Sequence, residues 1–175
     1  MVRFARAVSK DADKLALASK SAFENDIHYG APNRGSKGGG PPGYDSPEWQ
    51  RRMMRAGRYY RILVDGQIVG GLIVLPRAIR EYELGRIFIH ADFQNQGIGT
   101  QAMDFMFGEF PLAKTWTVGT PAWNPRTCHF YEKVGFEQVE LRYDPGADWD
   151  GVTFPHIIGQ PQLESFPFSQ CIPWV

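Results

Sequence analysis

The sequence predicts a single α/β domain built around one mixed sheet. Three observations lead there. Short apolar runs of strand length alternate with stretches of helical period in the order β-α-α-β-β-β-α-β-α-β-β. The 175 residues suit one domain and can bury a full core without a disulfide or metal staple. An Asp65-Gly66 pair between two apolar runs marks a hairpin, because a type I′ turn needs positive φ at both central residues.

Val2–Val8 reads as a short strand with basic residues interspersed. Lys10–Glu24 reads as a helix, with Leu15, Ala16 or Leu17, and Phe23 as its apolar positions and Asp11 and Asp13 near its positive end. Tyr29–Tyr44 (YGAPNRGSKGGGPPGY) is dense in glycine and proline and has no period, so it is a loop; one of that length in a compact domain is often functional. Ser46-Pro47-Glu48 is a helix start, with Ser as N-cap and Pro in the first turn, for a helix running to Ala56 and stopped by Gly57. Arg58–Val64 and Gln67–Leu75 are the hairpin strands. Glu83–His90 (ELGRIFIH) alternates imperfectly, since Leu84, Ile87, Phe88 and Ile89 are all apolar, which places it centrally with both faces buried. Asp92–Gly99 turns, Ile98–Phe107 is an amphipathic helix, and Thr115–Thr120 is a short strand. Asn124–Lys133 is a helix ending at Gly135, and Phe136–Tyr143 returns as a strand. An acidic turn, DPGADWD, leads to a last strand near Val152–Ile158. Gln160–Val175 holds three of the thirteen prolines and reads as an extended tail; its Phe166, Phe168, Ile172 and Trp174 suit packing on this domain or on a partner.

Nineteen basic and nineteen acidic side chains cancel, which argues against a globally basic nucleic-acid binder. Residues 1–80 nevertheless hold fourteen of the basic and seven of the acidic groups. The excess peaks at Arg51, Arg52, Arg55, Arg58 and Arg61, either a solvated face or an anion-attracting patch. No apolar run is long enough for a membrane span, and the opening MVRFARAVSK has no apolar secretory core. Cys128 and Cys171 stand far apart, which fits a reducing cytoplasm. His28, His90, His129 and His156 never fall three or four residues apart, and neither CxxC nor HExxH occurs, so no metal site is expected.

The segment most informative about chemistry is Gln94-Asn95-Gln96-Gly97-Ile98-Gly99-Thr100, between the central strand and the amphipathic helix. Its glycines let backbone N–H groups converge, and the helix adds its positive end; together they form a phosphate cradle. A Walker loop needs Gly-Lys-Ser/Thr, and here the run is Gly-Ile-Gly-Thr. Gly97-x-Gly99-x-x-Ala102 satisfies the Rossmann pattern, but no Asp or Glu lies between Phe110 and Tyr131 to hold a ribose.

A second element follows in NPRTCHFYEKVGF: Asn124, then Tyr131, then Gly135-Phe136. Gln94-x-x-Gly97-x-Gly99 followed by Asn-x₆-Tyr-x₃-Gly-Phe resembles the GCN5-related N-acetyltransferase (GNAT) superfamily. The resemblance is sharpest over Glu83–Glu140 and extends by element order to residues 2–158. It marks an acetyltransferase domain over 1–159, with 29–45 as a substrate-side loop and 160–175 as a C-terminal extension. The implied fold is a mixed, mostly antiparallel central sheet flanked by helices, with a splayed strand pair forming an acetyl-CoA cleft.

The implied activity is transfer of the acetyl group from acetyl-CoA to a primary amine of a small molecule or peptide, by direct attack in a ternary complex and without a metal. The alternative is a non-catalytic acyl-CoA-binding or sensing module on the same fold. Carried over from the family, the pyrophosphate cradle is Asn95, Gln96, Gly97, Gly99 and Thr100, with Gln94 at its mouth. Ile87 and Ile89 pair their backbone with the pantetheine arm by strand addition. Tyr131 points at the CoA sulfur and returns its proton, and Asn124 bonds the pantetheine or caps its helix. The backbone N–H of Ile87 holds the thioester oxygen. Glu83 is the candidate base, Glu81 or an ordered water its alternatives. Acidic groups at Asp144, Asp148 and Asp150 favour a cationic acceptor, whereas Arg51, Arg52 and Arg55 favour one bearing an acid; Tyr44 and Trp49 lie among the same acceptor-side elements. Neither nucleic acid nor membrane is expected as a partner, and the apolar tail and edge strands make a homodimer an open expectation.

Overall fold

The structure, a computed structural model, describes residues 1–26, 40–121, 124–144 and 149–157, and of the last two strands it describes the backbone. The elements follow in the expected order: β1 (Val2–Arg6), α1 (Ala12–Asn25), α2 (Pro47–Ala56), β2 (Arg58–Val64), β3 (Gln67–Ala78), β4 (Glu81–Ile89), α3 (Ile98–Glu109), β5 (Thr115–Pro121), α4 (Pro125–Lys133), β6 (Glu140–Asp144) and β7 (Trp149–Ile157). Seven strands form one sheet in the order β1-β2-β3-β4-β5-β7-β6. Every pair is antiparallel except β4 with β5.

Each face of the sheet carries a core. On one, α1 lays Leu15, Ala18 and Ala22 against Tyr59, Ile73 and Phe88, and α2 adds Trp49 and Met53 at the margin. On the other, Met103 and Met106 of α3 and Tyr131 of α4 pack with Tyr60, Leu72, Val74, Leu84, Trp116 and Phe136. Ser46 caps α2 by accepting from Trp49 N at 3.2 Å, and Gly57 follows its last turn, as the sequence predicts. Asp65 and Gly66 both take positive φ in the predicted hairpin turn.

Several boundaries differ from the sequence reading. β1 stops at Arg6, not Val8, because Asp11 accepts from Val8 N at 2.9 Å and draws the chain into a 3-10 turn at Ser9–Asp11. β3 runs on past Leu75 to Ala78. The strand predicted at Phe136–Tyr143 begins only at Glu140. Gly135 takes φ 96°, its N–H bonds Glu132 O, and Phe136 N bonds Tyr131 O, a glycine helix cap that commits the Phe136 amide and turns its ring into the core. The last strand starts at Trp149 rather than Val152 and ends at Ile157, so Trp149 and Asp150 of the predicted acidic turn are strand residues. Most of the predicted loop Tyr29–Tyr44, the middle of DPGADWD and the tail Gln160–Val175 lie outside the described residues.

The uneven pattern of ELGRIFIH has a local cause. Val74 pairs with Leu84 and Ile73 with Arg86, so Gly85 is left over as a bulge. A bulge resets the alternation of faces. Tyr82 and Leu84 pack toward α3 and α4, and Ile87 packs there too, while Arg86 and Phe88 face α1 and α2. A Cβ at Gly85 would stand 2.9 Å from Leu75 Cδ1, so a larger residue at the bulge would have to displace that side chain.

β4 and β5 pair only from Glu81↔Thr115 to Leu84↔Val118. Beyond that point β4 runs on to Ile89 beside β3, and β5 runs on to Pro121 beside β7. The two parallel strands thus part in mid-sheet and leave a gap that opens toward the start of α3. Among the described residues no helix is long and apolar enough to cross a membrane, and no three of His, Cys, Asp and Glu come together in a group that could hold a metal.

Candidate active site

The cradle lies at the open end of this gap. Asn95 (φ 59°) and Gly97 (φ 74°) are both left-handed, and Gly97 is the N-cap of α3. The first intrahelical bond is Gln101 N to Gly97 O at 3.1 Å. The N–H groups of Ile98, Gly99 and Thr100 therefore precede the helical ladder, and no acidic residue lies in that first turn. Gly97 is glycine for its φ, since a Cβ there would meet nothing within 4 Å. Gly99 is glycine for closeness, since a Cβ would stand 3.2 Å from Phe130 of α4. These donors suit a phosphate group. Ile98 joins the expected set through its amide.

The edge of β4 that lines the gap is set by its pairing with β3. His90 N donates to Val69 O of β3 at 2.7 Å. Backbone groups alternate from edge to edge along a strand, so Phe88 also addresses β3 while Ile87 and Ile89 address the gap. The Ile89 carbonyl accepts from Gln94 Nε2 at 2.9 Å, consistent with that direction.

On α4, Asn124 is fully buried and its side chain accepts from Thr127 N at 3.3 Å, so it is the helix N-cap. Tyr131 is buried against Phe130 and Phe136. Burial, with the Asp26 carboxylate and Cys128 nearby, pushes its hydroxyl well above the ordinary tyrosine value.

Gln94 is more occupied than a ligand-only residue. Its Oε1 accepts from Asn25 Nδ2 and from Arg126 Nη1, each at 3.0 Å, and Arg126 Nη2 reaches Asp26 Oδ1 at 3.1 Å. The end of α1, the cradle and the start of α4 are therefore tied together at the gap. Burial raises the pKa of Asp26, with Arg126 and the Asn124 side chain opposing. Sequence reasoning missed Asp26 and Arg126. The one local signal was a carboxylate at the C-terminus of a helix, where it opposes the dipole and asks for an outside cation.

β4 does reach Glu81, which puts Glu81 and Glu83 on one face, the side of α1 and α2. Arg77 of β3 holds the Glu83 carboxylate, with Nε donating at 2.6 Å. Arg86 lies on that same face. Of the predicted basic patch, Arg51 pairs with Asp13 and Arg61 donates from Nη1 to both Asp11 carboxylate oxygens, roles in holding α1 to α2 and β2.

Residues 55–138 match the family model described as an acetyltransferase (GNAT) domain. An uncharacterized protein of Bacillus subtilis, YrkN, is 32% identical over 84 residues, 47% of this chain and 45% of that protein, so the match spans less than half of that relative. Three solved structures share the fold. A GNAT family acetyltransferase of Elizabethkingia anophelis with acetyl-CoA bound is 21% identical, with a TM-score of 0.55 over 65% of this chain and 84% of that one. The ribosomal-protein-S18-alanine N-acetyltransferase of Escherichia coli is 15% identical, with a TM-score of 0.65 over 95% and 99%. The PaiA N-acetyltransferase of Thermoplasma acidophilum in complex with coenzyme A is 13% identical, with a TM-score of 0.70 over 90% and 99%.

Proposed function

Because this chain carries a domain of the GNAT superfamily, we propose that it transfers the acetyl group of acetyl-CoA to a primary amine. The observation that supports this best is the parting of β4 from β5 after Leu84, with the α3 amide cradle at the mouth of the opening. The cosubstrate supplies an activated thioester. The Ile98, Gly99 and Thr100 amides hold its pyrophosphate, with Asn95, Gln96 and Gly97 shaping the turn. The gap-facing backbone of Ile87 and Ile89 takes the pantetheine arm as an added strand, and Asn124 fixes the start of α4 beside it. The Ile87 amide steadies the negative charge that develops on the thioester oxygen.

Proton traffic divides between two faces. Tyr131 stays protonated in its buried setting and delivers a proton to the departing thiolate. Glu83 or Glu81, on the α1–α2 face of β4, receives the amine proton, directly or through water. One observation favours the second reading, an acyl-CoA-binding module without turnover: Glu83 is already held by Arg77.

Thermal melting with acetyl-CoA, CoA and NADH at matched concentration tests the cofactor. A ligand that binds only the folded chain raises Tm by mass action. Both CoA species are expected to raise it and NADH is not; no shift with either CoA species overturns the assignment. Release of free CoA across a panel of amines then separates enzyme from sensor.

A further inference from the structure

Among the described residues Arg86 is a buried cation without a counter-charge. It is 6% exposed, yet no carboxylate of the described residues pairs with it. Residues 27–39, which follow α1, contain no Asp or Glu to supply one. Its guanidinium lies 3.9 Å from the ring centre of Trp49 on α2 and 5.5 Å from that of Phe23 on α1. Nη2 has a long bond, 3.5 Å, to the Pro42 carbonyl, and Nη1 is buried with no partner. Burial lowers its pKa to about 10, so it remains a cation at neutral pH. Burying a charge is costly unless it is paired, and a guanidinium kept for packing alone gains nothing from an empty nitrogen.

Its place in the fold says what the charge is for. Arg86 directly precedes Ile87, whose backbone faces the gap, but its side chain turns to the opposite face from α3 and α4. The bulge at Gly85 creates that arrangement, with Glu83 on the same face. We propose that Arg86 receives the carboxylate of the acceptor, so that the acceptor is an amine of amino-acid size that also carries an acid group. This rests on the acetyltransferase reading above. A planar guanidinium offers a carboxylate paired parallel donors, and a single cation matches a monoanion. The Trp49 and Phe23 rings exclude water from the pair, and the carboxylate oxygen replaces the long contact to Pro42. Of the two acceptor classes that the charge pattern leaves open, this selects the acid-bearing one.

The test compares free amino acids with their α-carboxamides, which keep the amine and lose the acid, as acceptors in the release of CoA from acetyl-CoA. The wild-type chain is expected to favour the acid over its amide by about 10-fold or more in kcat/KM. Arg86→Leu should bring the pair to parity through KM, and Arg86→Lys should retain part of the preference. Equal use of acid and amide by the wild type, turnover of no carboxylate-bearing amine, or a preference that survives Arg86→Leu overturns the proposal. The wild-type comparison stands even if Arg86→Leu does not fold, and melting with acetyl-CoA reports folding of each variant. Loss of that melting response in the wild type is a different result, since it removes the acetyltransferase reading itself.

Discussion

Tyr131 owes its raised pKa to its surroundings. Its ring is packed between Phe130 and Phe136, and the Asp26 carboxylate nearby further disfavours a phenolate. A hydroxyl held above its ordinary value remains a donor throughout the neutral and mildly alkaline range, so loss of its proton does not set an alkaline limb there. Tyr131→Phe is expected to lower kcat on the order of 10²-fold while leaving the melting shift with acetyl-CoA unchanged. An unchanged kcat would remove the residue from the proton path. Asn124, Tyr131 and Gly135-Phe136 were legible as a spaced motif because they belong to one helix and its two caps, all within thirteen residues of chain. Asp26 and Arg126 were not, because 100 residues separate them in the chain and only the closed fold brings Oδ1 within 3.1 Å of Nη2.

Elements show the same division. Both helix starts with Ser or Asn before Pro, α2 at Ser46 and α4 at Asn124, were readable because capping is a contact within one turn. The turn that caps α3 was readable for a similar reason, since the conformation of Gly97 is a local backbone demand. Gly97→Ala would encounter no atom within 4 Å, so its cost is that of the left-handed conformation, about 1–2 kcal/mol. The variant is expected to melt lower and to show a smaller shift with CoA; an equal shift would mean that the turn does not shape the cradle. The bulge in β4 was harder to see. Its trace in the sequence was a broken alternation, and two-sided burial and a register slip leave the same mark on four apolar residues. Only the pairing of Leu84 with Val74 and Arg86 with Ile73 separates them.

Across the whole molecule, the Asp26–Arg126–Gln94 contacts join α1 to α4 and to the cradle. Burial raises the Asp26 pKa above its ordinary 3.8, so the folded chain binds this proton more tightly than the unfolded one. The stabilisation from this group is full below the ordinary value and is lost as pH rises through the raised one. The Tm of the wild type minus that of Asp26→Asn should therefore fall as pH is raised from just below 4 through the raised value. A difference that grows with pH would show that the Arg126 pair outweighs desolvation.

The sequence by itself determined whatever depends on neighbours in the chain: the order of the elements, their caps, the hairpin turn and the glycine turn before α3. These are set by φ preferences, side-chain period and contacts within one helical turn. The tertiary structure decided where β4 parts from β5, which way Ile87 and Arg86 face, and that Asp26 meets Arg126. Each of those depends on pairing register or on burial between segments distant in sequence, and a one-residue slip in register sends a side chain to the other face of the sheet.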